Sequence, residues 1–491
     1  MTQRRSTGWL IVLAGAALIV AMVAAFGHPA VFTDTDDYYA LGKELATSAG
    51  IVAPPDLSDA DIAQAKIDAH MGHTQMASRS AVYGILLFAL ESVGTMWLVT
   101  AAQALAVAWV VATMWRVALP ERARAGALVA IAVLVLVSPL PFFTGFAMPD
   151  ILAGVAPIAA AILLIYPDRV GALERWGLAT LLAVALATHT SHILMMVVMI
   201  AVAGVVLLRL PVDRRRVLGR IGVIVATVVV AIAANSVYGI GIRLTTGEPL
   251  RNQPFLTARI LADGPGRDYL RHACATGTRF TLCRFAHKPL ADSEDILWSD
   301  LPGTGVFMLS DYATRVRLED EEGRFVLGTL AYAPGAQLVA SLKNWGRQLA
   351  MVFVDDPVRD PVFYLTDPYW RQTNLPPMIA RVAVCGPRHD QCRSRLTVPV
   401  SKAWHGTAAA IATVVALAAL WHFRPAGSRR PPRRLVATAA FLLAAVLVNA
   451  AVCGVLSGPF ARYQARIVWL IPLTAVLLLA GWREEAAKSV H

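Results

Sequence analysis

Three aspartates fall within four residues in "VFTDTDDYYALGKEL", at Asp34, Asp36 and Asp37, directly after the first apolar segment of the chain. A carboxylate so placed can take a proton from a hydroxyl, or hold a divalent cation against a phosphate. Helix capping is the plainer account, because acids at a helix N-terminus accept free backbone N–H groups and complement the dipole. Capping uses one acid or two. Three beside a bilayer core concentrate negative charge, which raises carboxyl pKa values and calls for a compensating role.

Other polar residues fall at the same level of the expected topology. Arg79 precedes an apolar stretch, Asp150 opens the fourth apolar segment, His189 and His192 follow the fifth, and Arg462, Tyr463, Gln464 and Arg466 precede the last. His189 and His192 are three apart and share a helix face. Arginines grip phosphate in bidentate fashion, histidines donate or carry a proton near neutral pH, and aspartates supply a base or a metal ligand. Taken singly, each has an interfacial explanation: a histidine capping a helix end, an arginine snorkelling to headgroups. Taken together they describe a pocket for an amphipathic phosphate, its headgroup at the acids and its tail between spans.

The elements that must carry these residues are membrane helices. The 491 residues are 57% hydrophobic and 16% charged, with a mean hydropathy of +0.57, whereas soluble proteins carry roughly 25% charged residues. The net charge of +11 lies in short clusters between apolar runs, so it reports topology and not a nucleic-acid partner. Apolar runs long enough to cross a bilayer predict about ten spans, the first over Trp9–Phe26 and the last over Ile467–Trp482. Spans three to five are Ala127–Phe142, Ile151–Tyr166 and Gly177–Thr188.

Arg4 and Arg5 place the N-terminus in the cytoplasm, and "RVALPERARAG", "PDRVGALER", "PVDRRRVLGR" and "FRPAGSRRPPRRL" then all fall inside. The first apolar stretch exceeds a secretory h-region and predicts an uncleaved span. The run from Ser80 to Ala118 is too long for one span and too short for two with a loop. "SRSAVYGILLFALES" is therefore expected as an interfacial helix that does not cross.

The fold class expected is an all-α polytopic membrane protein in three parts. Residues 1–239 form a seven-span module with an acidic first outer loop over 27–79. Residues 240–402 form a helical, loop-rich extracytoplasmic domain, and 403–491 a three-span module. Within the middle part a helix begins near Pro254 and breaks at "DGPG". Cys274 with Cys283 and Cys385 with Cys392 read as two disulfides of an oxidising compartment, with Cys453 inside span nine. A zinc site is the rival, but the spacings are not CxxC and no histidine is regularly placed among them. No phosphate loop or nucleophile elbow is present.

The first span, then "DTDDYY", then the "SRSAVYG" interfacial helix, then six further spans and a large outer insertion after span seven, together resemble the GT-C membrane glycosyltransferases, including their arabinosyl- and mannosyltransferase-like families. The resemblance implies a bacterial cytoplasmic-membrane enzyme of the cell envelope that uses a polyprenyl-phosphate-linked sugar on the outer face, with a glycan, lipid or protein as acceptor. By position it implies Asp36 as the general base, with Asp34 or Asp37 as its orienting partner or, in a variant using Mg or Mn, Asp34 and Asp36 as cation ligands. From their shared level in the topology, and not from the family motif, Arg79, Arg462 and Arg466, with His189 and His192, would hold the donor phosphate, while Asp150, Tyr463 and Gln464 would line the same site.

Rival readings are a lipid-linked glycan transporter or flippase, another lipid-linked transferase or ligase, and a non-catalytic polysaccharide-assembly protein. A transporter normally shows repeated halves and polar or broken helices at the midplane. Here no repeat is evident, and Gln103 is the main polar residue inside a span.

Overall fold

The computed structural model describes residues 2–53, 76–77, 79–209, 213–247, 249–355, 362–383, 397–422 and 433–488. The protein is a polytopic bundle of α-helices. Strand is confined, among the described residues, to a two-residue parallel pair, Met76–Ala77 with Arg251–Asn252. Among the described residues, seven helices are long and apolar enough to cross a membrane.

The N-terminal part runs α1 (Thr2–Phe26), α2 (Thr33–Ser48), α3 (Ala81–Gly94), α4 (Met96–Ala118), α5 (Gly126–Val137), α6 (Leu152–Ile165), α7 (Ala172–Ala187), α8 (Thr190–Leu208) and α9 (Arg214–Thr246). The expected third, fourth and fifth spans correspond to the shorter α5, α6 and α7. At about 1.5 Å per residue these fall short of a hydrocarbon core of roughly 30 Å. Every residue of α6 is buried, so its short length and internal Pro157 leave no polar backbone facing lipid.

The long apolar run of residues 80–118 divides at Thr95, a non-glycine residue with φ of 72°. Its hydroxyl accepts from the Trp97 amide at 3.3 Å and starts α4, while α3 stays a separate helix against α2. That contact is close. A Cβ at Gly42 would lie 2.1 Å from the Gly84 carbonyl oxygen, and one at Gly84 would lie 2.7 Å from the Tyr38 oxygen. The two helices thus cross glycine to glycine, with Tyr38 and Tyr83 edge to face at 5.0 Å.

Between α9 and the C-terminal helices, α10 (Phe255–Asp263) and α11 (Pro265–Ala275) meet at Gly264 in the "DGPG" break, whose φ of 109° suits glycine. Cys274 and Cys283 are disulfide-bonded; Cys385 and Cys392 lie outside the described residues. This region holds its own small core around Leu261, Phe280, Phe307 and Phe325. Helices α12 (Glu322–Tyr332) and α13 (Pro334–Ala350) follow, then α14 (Leu375–Ala380). The chain closes with α15 (Val398–His422), α16 (Arg433–Leu456), the short α17 (Ala461–Ala465) and α18 (Leu470–Lys488).

Candidate functional site

Helix α2 begins at Thr33, one residue ahead of the acids, so Asp34 and Asp36 lie in its first turn. Residues three apart share a face, and Arg79 pairs with both Asp34 and Asp37, the latter at 3.3 Å. Asp36 points elsewhere. Its Oδ1 accepts from the backbone N and the side-chain Nδ2 of Asn374, each at 2.8 Å, at the start of α14.

Two further arginines arrive from α17 and the residue after it. Arg462 and Arg466 are four apart and lie on one side of the turn. Arg462 Nη2 reaches Asp34 Oδ2 at 3.4 Å and its Nε reaches Asp150 at 3.7 Å, while Arg466 Nη1 reaches Asp150 at 3.3 Å. Three carboxylates thus face three guanidiniums. Phe32 lies beneath the Arg462 guanidinium at 4.3 Å, and the Tyr463 ring lies 5.3 Å from Arg462 and 5.1 Å from Arg466, giving the cations aromatic faces in place of water.

Backbone stitching fixes the acids against one another. Ala30 N donates to Gly145 O at 2.8 Å and Ala147 N to Ala30 O at 2.9 Å, joining the start of the first loop to the segment before Asp150. Thr35 Oγ1 donates to Ala147 O at 3.2 Å. Gln103, buried in α4, donates from Nε2 to Thr144 O at 3.1 Å and Phe146 O at 2.9 Å. The polar residue inside the span therefore braces the loop that carries Asp150. Ser80, beside Arg79, ties α3 to the end of α7 by donating to Ala187 O at 2.7 Å.

The histidines hold different positions. His189 caps α8, its Nδ1 accepting from the Ser191 amide at 3.1 Å and the Ser191 hydroxyl at 2.8 Å; that hydroxyl in turn accepts from Arg466 at 2.9 Å. With Nδ1 an acceptor, the neutral ring carries its proton on Nε2. Burial, then the charges of Arg466, His192, Arg462 and Arg79, push the His189 pKa well below its ordinary value. The neutral ring of His189 is therefore favoured, with Nε2–H free of the Ser191 contacts. His192 is buried, with Nδ1 donating to Ala185 O at 2.8 Å.

Asp34 is the opposite case. Burial acts to raise its carboxyl, but the Arg79 and Arg462 charges and hydrogen bonds outweigh that and hold it below its ordinary value. It is a carboxylate at any neutral pH. Glu294, which precedes the small core's Ile296, carries a carboxyl raised first by desolvation and then by Asp292 and Asp34, so the inter-span region brings a further acid within electrostatic range of the cluster.

The cluster is not saturated. Asp150 Oδ2, Arg466 Nε and His192 Nε2 are buried without a hydrogen-bond partner. Buried polar atoms are costly to leave unpaired, and such atoms beside a charged cluster fit a site that a polar ligand completes.

Of the residues expected here, Asp34, Asp37, Arg79, Asp150, His189, Arg462, Tyr463 and Arg466 come together. Arg466 is fully buried and held by Asp150 and Ser191, so it orients neighbours and does not meet solvent. Gln464 turns into the bundle, accepting from Asn449 Nδ2 at 3.2 Å. The pairing of Asp34 and Asp36 on one cation is not supported, because the two carboxylates engage different partners, and Asp34 already sits between two guanidiniums. Among the described residues no group of three or more His, Cys, Asp and Glu is arranged around a metal. Phe32, Ser191, Asn374 and Glu294 escaped the sequence analysis, since nothing in their local sequence separates them from ordinary loop residues. Set beside known proteins, the chain matches no family model, no curated protein and no solved structure, so the functional reading rests on the geometry of this site.

Proposed function

We propose that the chain is a GT-C-type glycosyltransferase that moves a sugar from a polyprenyl-phosphate carrier to an acceptor hydroxyl. The seven long helices with the short α5, α6 and α7 make ten crossings on this reading, with both termini in the bacterial cytoplasm and the aspartate–arginine cluster on the outer face. The observation that carries the proposal is Asp34, in the first turn after the first span, held ionised between Arg79 and Arg462.

The arginines are paired with carboxylates. A donor phosphate, with its fork-matching oxygens, competes for Arg79 and Arg462 and leaves an Asp34 oxygen open towards the acceptor. Asp34 takes the acceptor's hydroxyl proton as the acceptor oxygen attacks the anomeric carbon. The carbon–oxygen bond to phosphate breaks, its electron pair leaves on the polyprenyl phosphate, and the sugar carbon inverts. The guanidiniums stabilise the charge gathering on that phosphate more strongly in the transition state than before it. His189 Nε2–H serves as a neutral donor to a sugar or phosphate oxygen. Asp36 fixes the 374 loop through Asn374, so the base expected at Asp36 is reassigned to Asp34.

The test is transfer from a labelled polyprenyl-phosphate sugar by protein reconstituted in nanodiscs. Asp34→Asn abolishes transfer and preserves insertion, whereas Asp36→Asn, which keeps an acceptor oxygen for Asn374, stays active. Full activity in Asp34→Asn would sink the assignment.

A further inference from the structure

Helix α13 is built inside out for a helix in water. Its buried side chains are the amides Gln337 (5% exposed), Asn344 (6%) and Gln348 (0%), while Leu338 (60%), Val339 (52%) and Leu342 (52%) stand free. Two of the buried amides serve one acid. Asp263, at the end of α10, accepts from Gln337 at 2.8 Å, from Asn344 at 2.7 Å and from both Nε and Nη2 of Arg259 at 3.0 and 2.6 Å. Gln348 clamps Phe460, donating to its carbonyl at 2.8 Å and accepting from its amide at 3.0 Å.

The position of α13 supplies what its free face lacks. It lies along α16, one of the seven long apolar helices. A Cβ on Gly454 would meet the Asn344 carbonyl oxygen and the Gln348 Cβ, each at 2.9 Å. Trp345 Nε1 donates to Leu447 O at 3.1 Å, nine residues before the end of α16 at Leu456, which is roughly 13 Å down the helix axis. Leu447 itself is an exposed apolar residue of that span. The free face of α13 thus continues the exposed apolar surface of α16.

Two more features agree. Lys343 and Arg347, four apart and exposed, form a basic strip on α13 beside the aliphatic one, and such paired strips mark helices that lie in a membrane interface, with cations at lipid phosphates. Helix α12 meets α13 at 105° and carries Leu327 and Tyr332, which are likewise exposed.

We propose that the α12–α13 hairpin is seated in the bilayer, with Leu338, Val339 and Leu342 against acyl chains and Lys343 and Arg347 at the phosphate level. The occupant of the free face is lipid. Through Gln348 and Phe460 this seated helix positions the turn that carries Arg462. The proposal does not depend on the reading of the chain as a glycosyltransferase.

Site-directed spin labelling in nanodiscs tests it. Leu338→Cys and Leu342→Cys are labelled singly in the full chain, with Arg271→Cys as an exposed reference and the unsubstituted protein to subtract labelling of the native cysteines. The expected result is a ratio of oxygen to water-soluble nickel-chelate accessibility several-fold higher at 338 and 342 than at 271. A ratio equal to that at 271 overturns the proposal and points to water or a protein partner on this face. Val339→Cys repeats the measurement should either leucine variant fail to insert.

Discussion

The two ends of the bundle use the same residue, arginine, in opposite ways. At one end Arg116 donates to Arg169 O at 3.0 Å, Arg122 to Ala480 O at 2.9 Å, Arg169 to Val117 O at 2.5 Å and Arg220 to Leu164 O at 3.0 Å. Arg169 O lies in the turn between α6 and α7, and Val117 O and Leu164 O lie in the last turns of α4 and α6, where cations complement the dipole. Ala480 O lies within α18, and the Arg434–Asp168 ion pair at 2.8 Å is partly exposed. At the other end Arg79, Arg462 and Arg466 are largely withdrawn from solvent and face carboxylates. The difference teaches where charge is stored. Half-exposed arginines pair with carbonyls and acids at little energetic cost, whereas burying Arg79, Arg462 and Arg466 is costly and is met by carboxylates placed against them.

The sharpest way to break this contrast is Asp34→Asn, which should lower transfer on the order of 10³-fold with unchanged yield. Measured rates within a few-fold of the parent would place the site's chemistry elsewhere. Arg462→Ala should cost about 10²-fold in kcat/KM, with Arg462→Lys recovering little because an ammonium cannot form the fork. Full recovery by lysine would reduce Arg462 to a point charge.

A structural variant follows. Gly84→Ala forces its methyl against the Tyr38 carbonyl and should destabilise the protein by about 1–3 kcal/mol, read as a lowered Tm in detergent; an unchanged Tm would show that α2 and α3 can separate without penalty. The pH dependence is smaller. Because His189 is held neutral when folded, the unfolded chain binds a proton that the folded chain refuses as pH falls below 6.5, so stability declines below that value. Asp34, with its lowered pKa, contributes stability above the usual carboxylate range and loses it only as pH falls below that range. His189→Gln should therefore make the decline between pH 6.5 and 5 shallower and leave the acid limb below about pH 4 in place; an identical profile in this variant would show that His189 does not contribute. At the opposite end Arg434→Ala should change stability by less than about 1 kcal/mol, and a larger loss would erase the distinction drawn between the ends.

Much of this architecture was legible in residue order. Apolar runs locate the membrane helices because bilayer thickness sets a length that local hydropathy reports, and the 80–118 run betrayed a break because no single helix fits it. The "DGPG" turn was likewise readable, since glycine tolerates the φ that Gly264 adopts. The acidic triplet and the arginines before α18 could be named as candidates, because charge beside a hydrocarbon layer is expensive wherever it sits.

What the sequence by itself determined, then, was membrane insertion, helix positions and the residue types available for chemistry, all of which follow from local composition and period. Only the tertiary structure decided which aspartate meets which arginine: the helix begins at Thr33, so Asp34 and Asp37 turn to Arg79 while Asp36 turns to Asn374, a matter of rotation about one axis that composition does not encode. It also decided that α13 buries its amides and frees its leucines, because the choice of inner face depends on Asp263 and α16, which are distant in sequence.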